Sequence, residues 1–132
     1  IGPYPSCRYF SINSSLKNNV IKCDKNQTFR LFTNLIKNSV ESIVEKNENK
    51  GKIEILIQGN HNSVDFLFQD NGVGFELDQM SNISEPYYTT KQNGSGLGLS
   101  IVSKIIFEHK GNINFYNSAN GANIHFSFNK YL

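Results

Sequence analysis

Ile53, Ile55 and Ile57 alternate with polar or second-face residues, and Val64, Phe66 and Phe68 repeat the pattern beyond the turn-forming run Gly59-Asn60-His61-Asn62-Ser63. A period of two puts each apolar set on one face of a strand, so the two runs predict an antiparallel hairpin. Ile113 and Phe115, then Ile124, Phe126 and Phe128, predict a closing hairpin in the same way. Between about Gln27 and Glu45 the period lengthens. At about 100° per residue Phe32, Ile36, Val40 and Ile43 form one apolar stripe, and Asn34, Asn38, Glu41 and Glu45 lie together on the opposite face. Asp24, just upstream, is a plausible N-cap for this helix. A second helix is predicted from Leu97 to about His109, with Ile101, Val102, Ile105 and Ile106 toward the core and Gly111 as its stop. Arg8 to Asn13 reads as an edge strand, between a loose entry over Ile1 to Ser6 and a polar turn over Ser14 to Asn19. Phe75 to Asn93 is long, polar and without period, and such a segment in a compact domain is usually functional or mobile. The elements assemble into one domain over residues 1–132, of the α/β class in the broad sense. It is an α+β two-layer sandwich with helices on one face of a mixed, mainly antiparallel sheet.

The chemistry concentrates at the joints between these elements. Asn93-Gly94-Ser95-Gly96-Leu97-Gly98-Leu99 runs from three alternating glycines directly into the second helix. A helix N-terminus offers unpaired N–H groups and partial positive charge, and glycines allow close approach of a phosphate. A dinucleotide fingerprint would need an apolar strand before the glycines, but Tyr88-Thr89-Thr90-Lys91-Gln92 is polar. A P-loop would need Gly-Lys-Ser/Thr after its second glycine, which is absent. A plain glycine turn capping a core helix is the bland alternative. Asp70-Asn71-Gly72-Val73-Gly74-Phe75 follows the strand that ends at Phe68, and alone it would read as an ordinary turn.

Taken in order, Arg30 to Ile43, Asp70 to Phe75, Ser84-Glu85-Pro86-Tyr87-Tyr88-Thr89-Thr90-Lys91 and Asn93 to Val102 resemble four motifs of one family. They are the N box, first glycine box, F box and second glycine box of the histidine-kinase ATP-binding domain. That domain belongs to the superfamily of gyrase, 90-kDa heat-shock chaperones, histidine kinases and mismatch-repair ATPases. The resemblance covers roughly Asn26 to Phe128 and implies a Bergerat-type ATP-binding fold holding Mg²⁺-ATP. It implies that Asn38 supplies an amide oxygen to Mg²⁺, with Asn34 on phosphate or metal-bound water. Asp70 would accept a hydrogen bond from the adenine amino group, and Gly72 and Gly74 would let the backbone pass close to base and sugar. Gly96, Leu97, Gly98 and Leu99 would present N–H groups to the phosphates, and Lys91, in a lid, would steady the terminal phosphate.

Asn34 separates relatives. Hydrolytic ATPases of the superfamily, and anti-sigma-factor serine kinases, usually carry a Glu there as general base, and an amide cannot take a proton. A neutral imidazole is already a good nucleophile, so the position favours a protein histidine kinase. Two departures stand out: Glu41 where many such kinases have Lys or Arg, and Asn120-Gly121-Ala122-Asn123 in place of the common Gly-Thr pair. With the F-box-like segment they resemble the NtrY/NtrB-like nitrogen-regulation branch. The resemblance thus implies the catalytic domain of a bacterial two-component sensor kinase that passes the ATP γ-phosphate to a histidine on a separate dimerisation domain. The alternatives are a degenerate nucleotide-binding regulatory module and a free-standing anti-sigma-type serine kinase. His61, His109 and His125 do not sit in the His-Glu/Asp-rich helical context of a phosphoacceptor, which is expected upstream in the parent chain. A cognate response regulator and a homodimeric parent complete the expected partners.

Composition adds limits. The formal charge is only +2, and no basic stripe with interleaved aromatics is present, which argues against nucleic acid. Cys7 and Cys23 make no metal or redox pattern, and reduced thiols in a cytoplasmic domain are expected. No apolar run approaches the roughly 20 residues of a membrane span. The chain opens on Ile1 rather than Met, so a piece of a longer protein is expected, whose parent could be anchored in the inner membrane.

Overall fold

In the computed structural model the described residues are 7–14, 23–46, 49–75 and 98–129, residues 7–14 and Gly98 by their backbone alone. They form β1 (Cys7–Ser14), α1 (Lys25–Glu45), β2 (Gly51–Gly59), β3 (Ser63–Asp70), α2 (Gly98–Glu108), β4 (Ile113–Asn117) and β5 (Ala122–Asn129). The strands lie in the order β1-β2-β3-β5-β4. β1 runs parallel to β2, and every other pair is antiparallel. A parallel pair needs a crossover connection, and α1 lies within the one between β1 and β2. The sheet is therefore mixed and mainly antiparallel, with the predicted edge strand in its predicted place.

Register follows from the alternation. Ile55 pairs with Phe68, Phe68 with Ile124, and Ile124 with Phe115, so the apolar residues of four strands share one face. Both helices cover that face. Phe66 and Phe126 stack at 4.9 Å, and Phe32 of α1 lies against Phe66, Phe68 and Phe126 with centroid distances of 5.6 to 6.1 Å.

The predicted apolar stripes of both helices pack on the core, but the depth of burial along them differs. The deepest side chains of α1 are Leu31, Leu35, Val40 and Ile43, while the predicted stripe members Phe32 and Ile36 are only half-buried. The helix packs on the sheet and, along one side, against α2, so its buried sector is wider than one stripe and turned toward the Asn34/Asn38 side. Ile101 of α2 is likewise half-buried, whereas Val102, Ile105 and Ile106 are fully inside. The end of α2 is marked by Lys110 in the left-handed region at φ 61°, with the Gly111 N–H donating to Ile106 O at 2.9 Å. The backbone thus turns one residue before the glycine expected to stop the helix.

Asp24 caps α1 as expected, its Oδ1 accepting from Gln27 N–H at 2.9 Å. The cap is also tied to the other helix. Buried His109 accepts the Asp24 N–H at Nε2 (3.1 Å), and its Nδ1 lies 2.7 Å from Ile105 O. The ring thus joins the start of α1 to the end of α2.

Candidate functional site

Asp70 owes its position to the alternation of β3. Val64, Phe66, Phe68 and Asp70 point toward the helices in turn, so the carboxylate stands where the apolar row ends and is 9% exposed. A buried carboxylate needs donors. Its Oδ1 accepts from Gly72 N–H at 2.9 Å, with Ala122 N–H at 3.5 Å from the start of β5. The group is thus held in one orientation by the backbone of two strand ends.

Beyond it the chain is fastened at Asn71, Gly72, Val73 and Phe75. Asn71 faces away from Asp70. Its Oδ1 accepts from Lys52 N–H at 2.7 Å and its Nδ2 donates to Lys50 O at 2.9 Å, so it extends the sheet as a side-chain bridge. Val73 N–H donates to Ser42 Oγ of α1 at 3.0 Å, and a Cβ on Gly72 would overlap that hydroxyl. Gly74 has φ +77°, a conformation disfavoured for any side chain. Phe75 N–H donates to Asn117 Oδ1 at 2.7 Å, and Asn117 Nδ2 donates to Phe75 O at 2.6 Å. The β4–β5 turn closes on the same place, since a Cβ on Gly121 would run into the Asp70 carbonyl.

The Ser42 contact locates this segment along α1. Asn38 lies four residues before Ser42, a rise of about 6 Å, and Asn34 one turn earlier. Both are half-buried, as is Glu41, so this face flanks the core and is not the fully exposed side, which carries Arg30, Thr33 and Lys37. Asn34 Nδ2 donates to Arg30 O at 2.9 Å within the helix. That bond uses the amide nitrogen and leaves Oδ1 as the atom available to a cation or its water. α2 begins at Gly98, with Leu99 half-buried against the core. Lys91, Gly96 and Leu97, together with the whole F-box-like segment, lie outside the described residues.

Sequence reasoning did not single out Ser42, Asn117 or buried Asn123, which accepts from Gln69 Nε2 at 2.8 Å. The composition of 117–121 signals a turn, but nothing in it names the segment the turn will hold.

His61 is exposed in the β2–β3 turn, and His125 lies on β5 with Nε2 4.0 Å from Asp65 Oδ1. Cys23 is free and exposed. Among the described residues no helix is long and apolar enough to cross a membrane.

Residues 23–131 match the family model described as histidine kinase-, DNA gyrase B-, and HSP90-like ATPase. The chain is 42% identical over 85 residues to sporulation kinase B of Bacillus subtilis, covering 64% of this chain and 19% of that protein. It is 34% identical over 120 residues to a putative sensor histidine kinase NtrY-like of Rickettsia conorii, covering 90% of this chain and 20% of the relative. Among solved structures it is similar to the nucleotide-free catalytic domain of the histidine kinase ThkA. That match has a TM-score of 0.80 at 31% identity and covers 92% of this chain and 78% of the other. The same kinase solved in complex with the response regulator TrrA matches with a TM-score of 0.73 at 27% identity, over 92% of this chain and 34% of that one. The chain spans about a fifth of the length of those two curated relatives. With the four motifs, the Bergerat-type sheet and these matches in agreement, the chain belongs to the histidine kinase-, DNA gyrase B-, and HSP90-like ATPase family, as a histidine-kinase ATP-binding domain.

Proposed function

We propose that this domain binds Mg²⁺-ATP and acts as the catalytic domain of a two-component sensor histidine kinase, passing the γ-phosphate to a histidine on a separate dimerisation and phosphoacceptor domain. The observation that carries the reading is Asp70: a buried carboxylate, oriented by two backbone N–H groups, at the end of an apolar row and beside close-packed Gly72. Such a group accepts a hydrogen bond from the adenine amino group and rejects guanine, which has a carbonyl at that position. Gly72 and Gly74 form the wall along base and sugar. Leu99, at the first turn of α2, belongs with Gly96, Leu97 and Gly98 to the stretch whose N–H groups would meet the phosphates. Lys91 is the cation proposed for the terminal phosphate.

The donor set on α1 suits Mg²⁺, which takes hard oxygen ligands and keeps several waters alongside phosphates. Asn38 would offer its amide oxygen to the metal, and Asn34 would hold a metal-bound water or phosphate. Bound Mg²⁺ would neutralise phosphate charge as the phosphoryl group leaves. Asn34 cannot serve as a general base, so the site favours transfer to imidazole over hydrolysis. A cognate response regulator and a homodimeric parent are the proposed partners, and the domain is proposed to face the cytoplasm.

Asn38→Ala is expected to reduce the Mg²⁺ enhancement of ATP affinity by about tenfold, the equivalent of one lost charged contact. The fold should persist because the apolar contacts of α1 are untouched. Nucleotide titrations with and without Mg²⁺ measure this, and a full enhancement in the variant would remove Asn38 from the metal.

The function itself is tested with labelled ATP, this domain and a separately supplied cognate phosphoacceptor hairpin. Acid-labile label on the hairpin, with little hydrolysis and no label on the domain alone, is the expected result. Buried His109, strand-borne His125 and turn-borne His61 leave the domain without a helical acceptor of its own. Phosphoserine on the partner would point to a serine-directed kinase. A well-folded hairpin left unlabelled would point to a binding module, with Glu41 the first residue to examine.

A further inference from the structure

We propose that Asn117 is a positioning residue of the nucleotide site: its side-chain amide fastens Phe75 and so sets the Gly72–Phe75 wall along which adenine would lie. The inference rests on the ATP-site reading above and assigns a role that no glycine-box motif contains.

The geometry is that of a β-bridge made by a side chain. Asn117 Oδ1 accepts the Phe75 N–H at 2.7 Å while Nδ2 donates to the Phe75 carbonyl at 2.6 Å, so both polar groups of one peptide residue are satisfied by one amide. Asn117 is itself held in the β4–β5 ladder opposite Ala122, the residue whose N–H lies 3.5 Å from Asp70 Oδ1. The same hairpin therefore touches both ends of the wall. Phe75 is further steadied by an edge-to-face contact with Phe115 at 5.8 Å.

Among the described residues, the wall's other fastenings are Asp70 on Gly72 N–H and the Ser42 hydroxyl and carbonyl on Val73 N–H. Both lie before Gly74, the residue at φ +77°. A glycine is the joint of lowest stiffness in the segment. Among the described residues beyond it, Phe75 would without Asn117 be held by its ring packing, including the contact with Phe115. A preformed site binds more tightly than one that must be ordered by its ligand, so loosening this joint weakens binding without removing a ligand contact.

The test measures ATP, ADP and adenosine binding by calorimetry on wild type, Asn117→Ala and Asn117→Asp. Asn117→Ala is expected to raise Kd by about tenfold for all three ligands, in line with two lost hydrogen bonds of ordinary strength. The binding stoichiometry should stay unchanged, as should the ratio of affinities with and without Mg²⁺, since α1 is not involved. A purely structural role would instead lower the fraction of competent molecules at unchanged Kd, and that result overturns the proposal.

Asn117→Asp gives a second reading if the alanine variant does not fold. An ionised carboxylate still accepts from Phe75 N–H but faces the Phe75 carbonyl with a second acceptor, whereas the protonated acid restores the donor. Its affinity for adenosine, a ligand without phosphates to titrate, is expected to rise several-fold as pH falls from about 7.5 to about 5. Wild type, which shares Asp70 at the same corner, supplies the control profile. A wild-type-like profile or affinity in a folded variant overturns the inference. Absence of ATP binding by wild type itself would overturn the ATP-site reading instead.

Discussion

An Asp70→Ala chain is expected to bind Mg²⁺-ATP at least tenfold more weakly than wild type and to lose its preference over Mg²⁺-GTP. Hydrogen bonds to charged groups contribute about 1.5–3 kcal/mol, which is roughly tenfold to a hundredfold in affinity. The upper part of that range is expected, because the carboxylate is 9% exposed and already aligned by Gly72 N–H and Ala122 N–H. A pre-aligned acceptor need not be reoriented when the ligand arrives. The substitution also strips Gly72 N–H of its acceptor, so a modest loss of thermal stability should accompany the binding defect. Asp70→Asn separates the two effects. It keeps the shape and one carbonyl acceptor, and should preserve stability while relaxing the choice between adenine and guanine. Calorimetry with both nucleotides, beside a melting curve for each variant, measures all of this. Equal ATP binding by wild type and Asp70→Ala would remove Asp70 from the adenine site.

The strands were legible because alternation is a local signal. Ile53, Ile55 and Ile57 pair with Asp70, Phe68 and Phe66 in the predicted antiparallel hairpin, and the closing hairpin follows the same rule. The Asp24 cap was legible for a similar reason, since capping depends on residues three positions apart. Elements whose form depends on distant neighbours were harder to read. The parallel partner of β1 cannot be read from Cys7–Ser14 itself. Leu31 and Leu35 lie deeper than Phe32 and Ile36 because α2 packs beside α1, a fact absent from the periodicity of α1. At the site, motif order pointed to Asp70, Gly72 and Gly74, whose positions the strand end explains. Ser42 and Asn117 stayed hidden. Each acts across 31 or 42 residues of chain, and neither a serine in a helix nor an asparagine at a strand end carries a local mark of such a contact.

Gly72→Ala is expected to damage both the fold and nucleotide binding, and to resist rescue at the residue it strikes. An added Cβ would overlap Ser42 Oγ and stand 2.6 Å from the Ser42 carbonyl carbon and 2.7 Å from its Cβ. Were the hydroxyl the sole obstacle, Ser42→Ala or Ser42→Gly would make room. The carbonyl carbon is backbone, so relief requires α1 to move away from the end of β3. That movement would lift Ser42 Oγ from Val73 N–H and shift Asn38, about one helical turn along the same rigid element. Overpacking of this kind costs about 1–3 kcal/mol and occasionally more, and a clash with backbone falls at the upper end. The expected result is a variant destabilised by about 3 kcal/mol, with weakened ATP binding and a reduced Mg²⁺ enhancement together. The joint loss distinguishes it from Asp70→Ala, where the base contact fails and the metal effect persists. Chemical denaturation and Mg²⁺-dependent nucleotide titration of Gly72→Ala, alone and with Ser42→Gly, provide the measurement. Full recovery in the double variant would mean that side-chain crowding alone sets the spacing between α1 and the glycine segment.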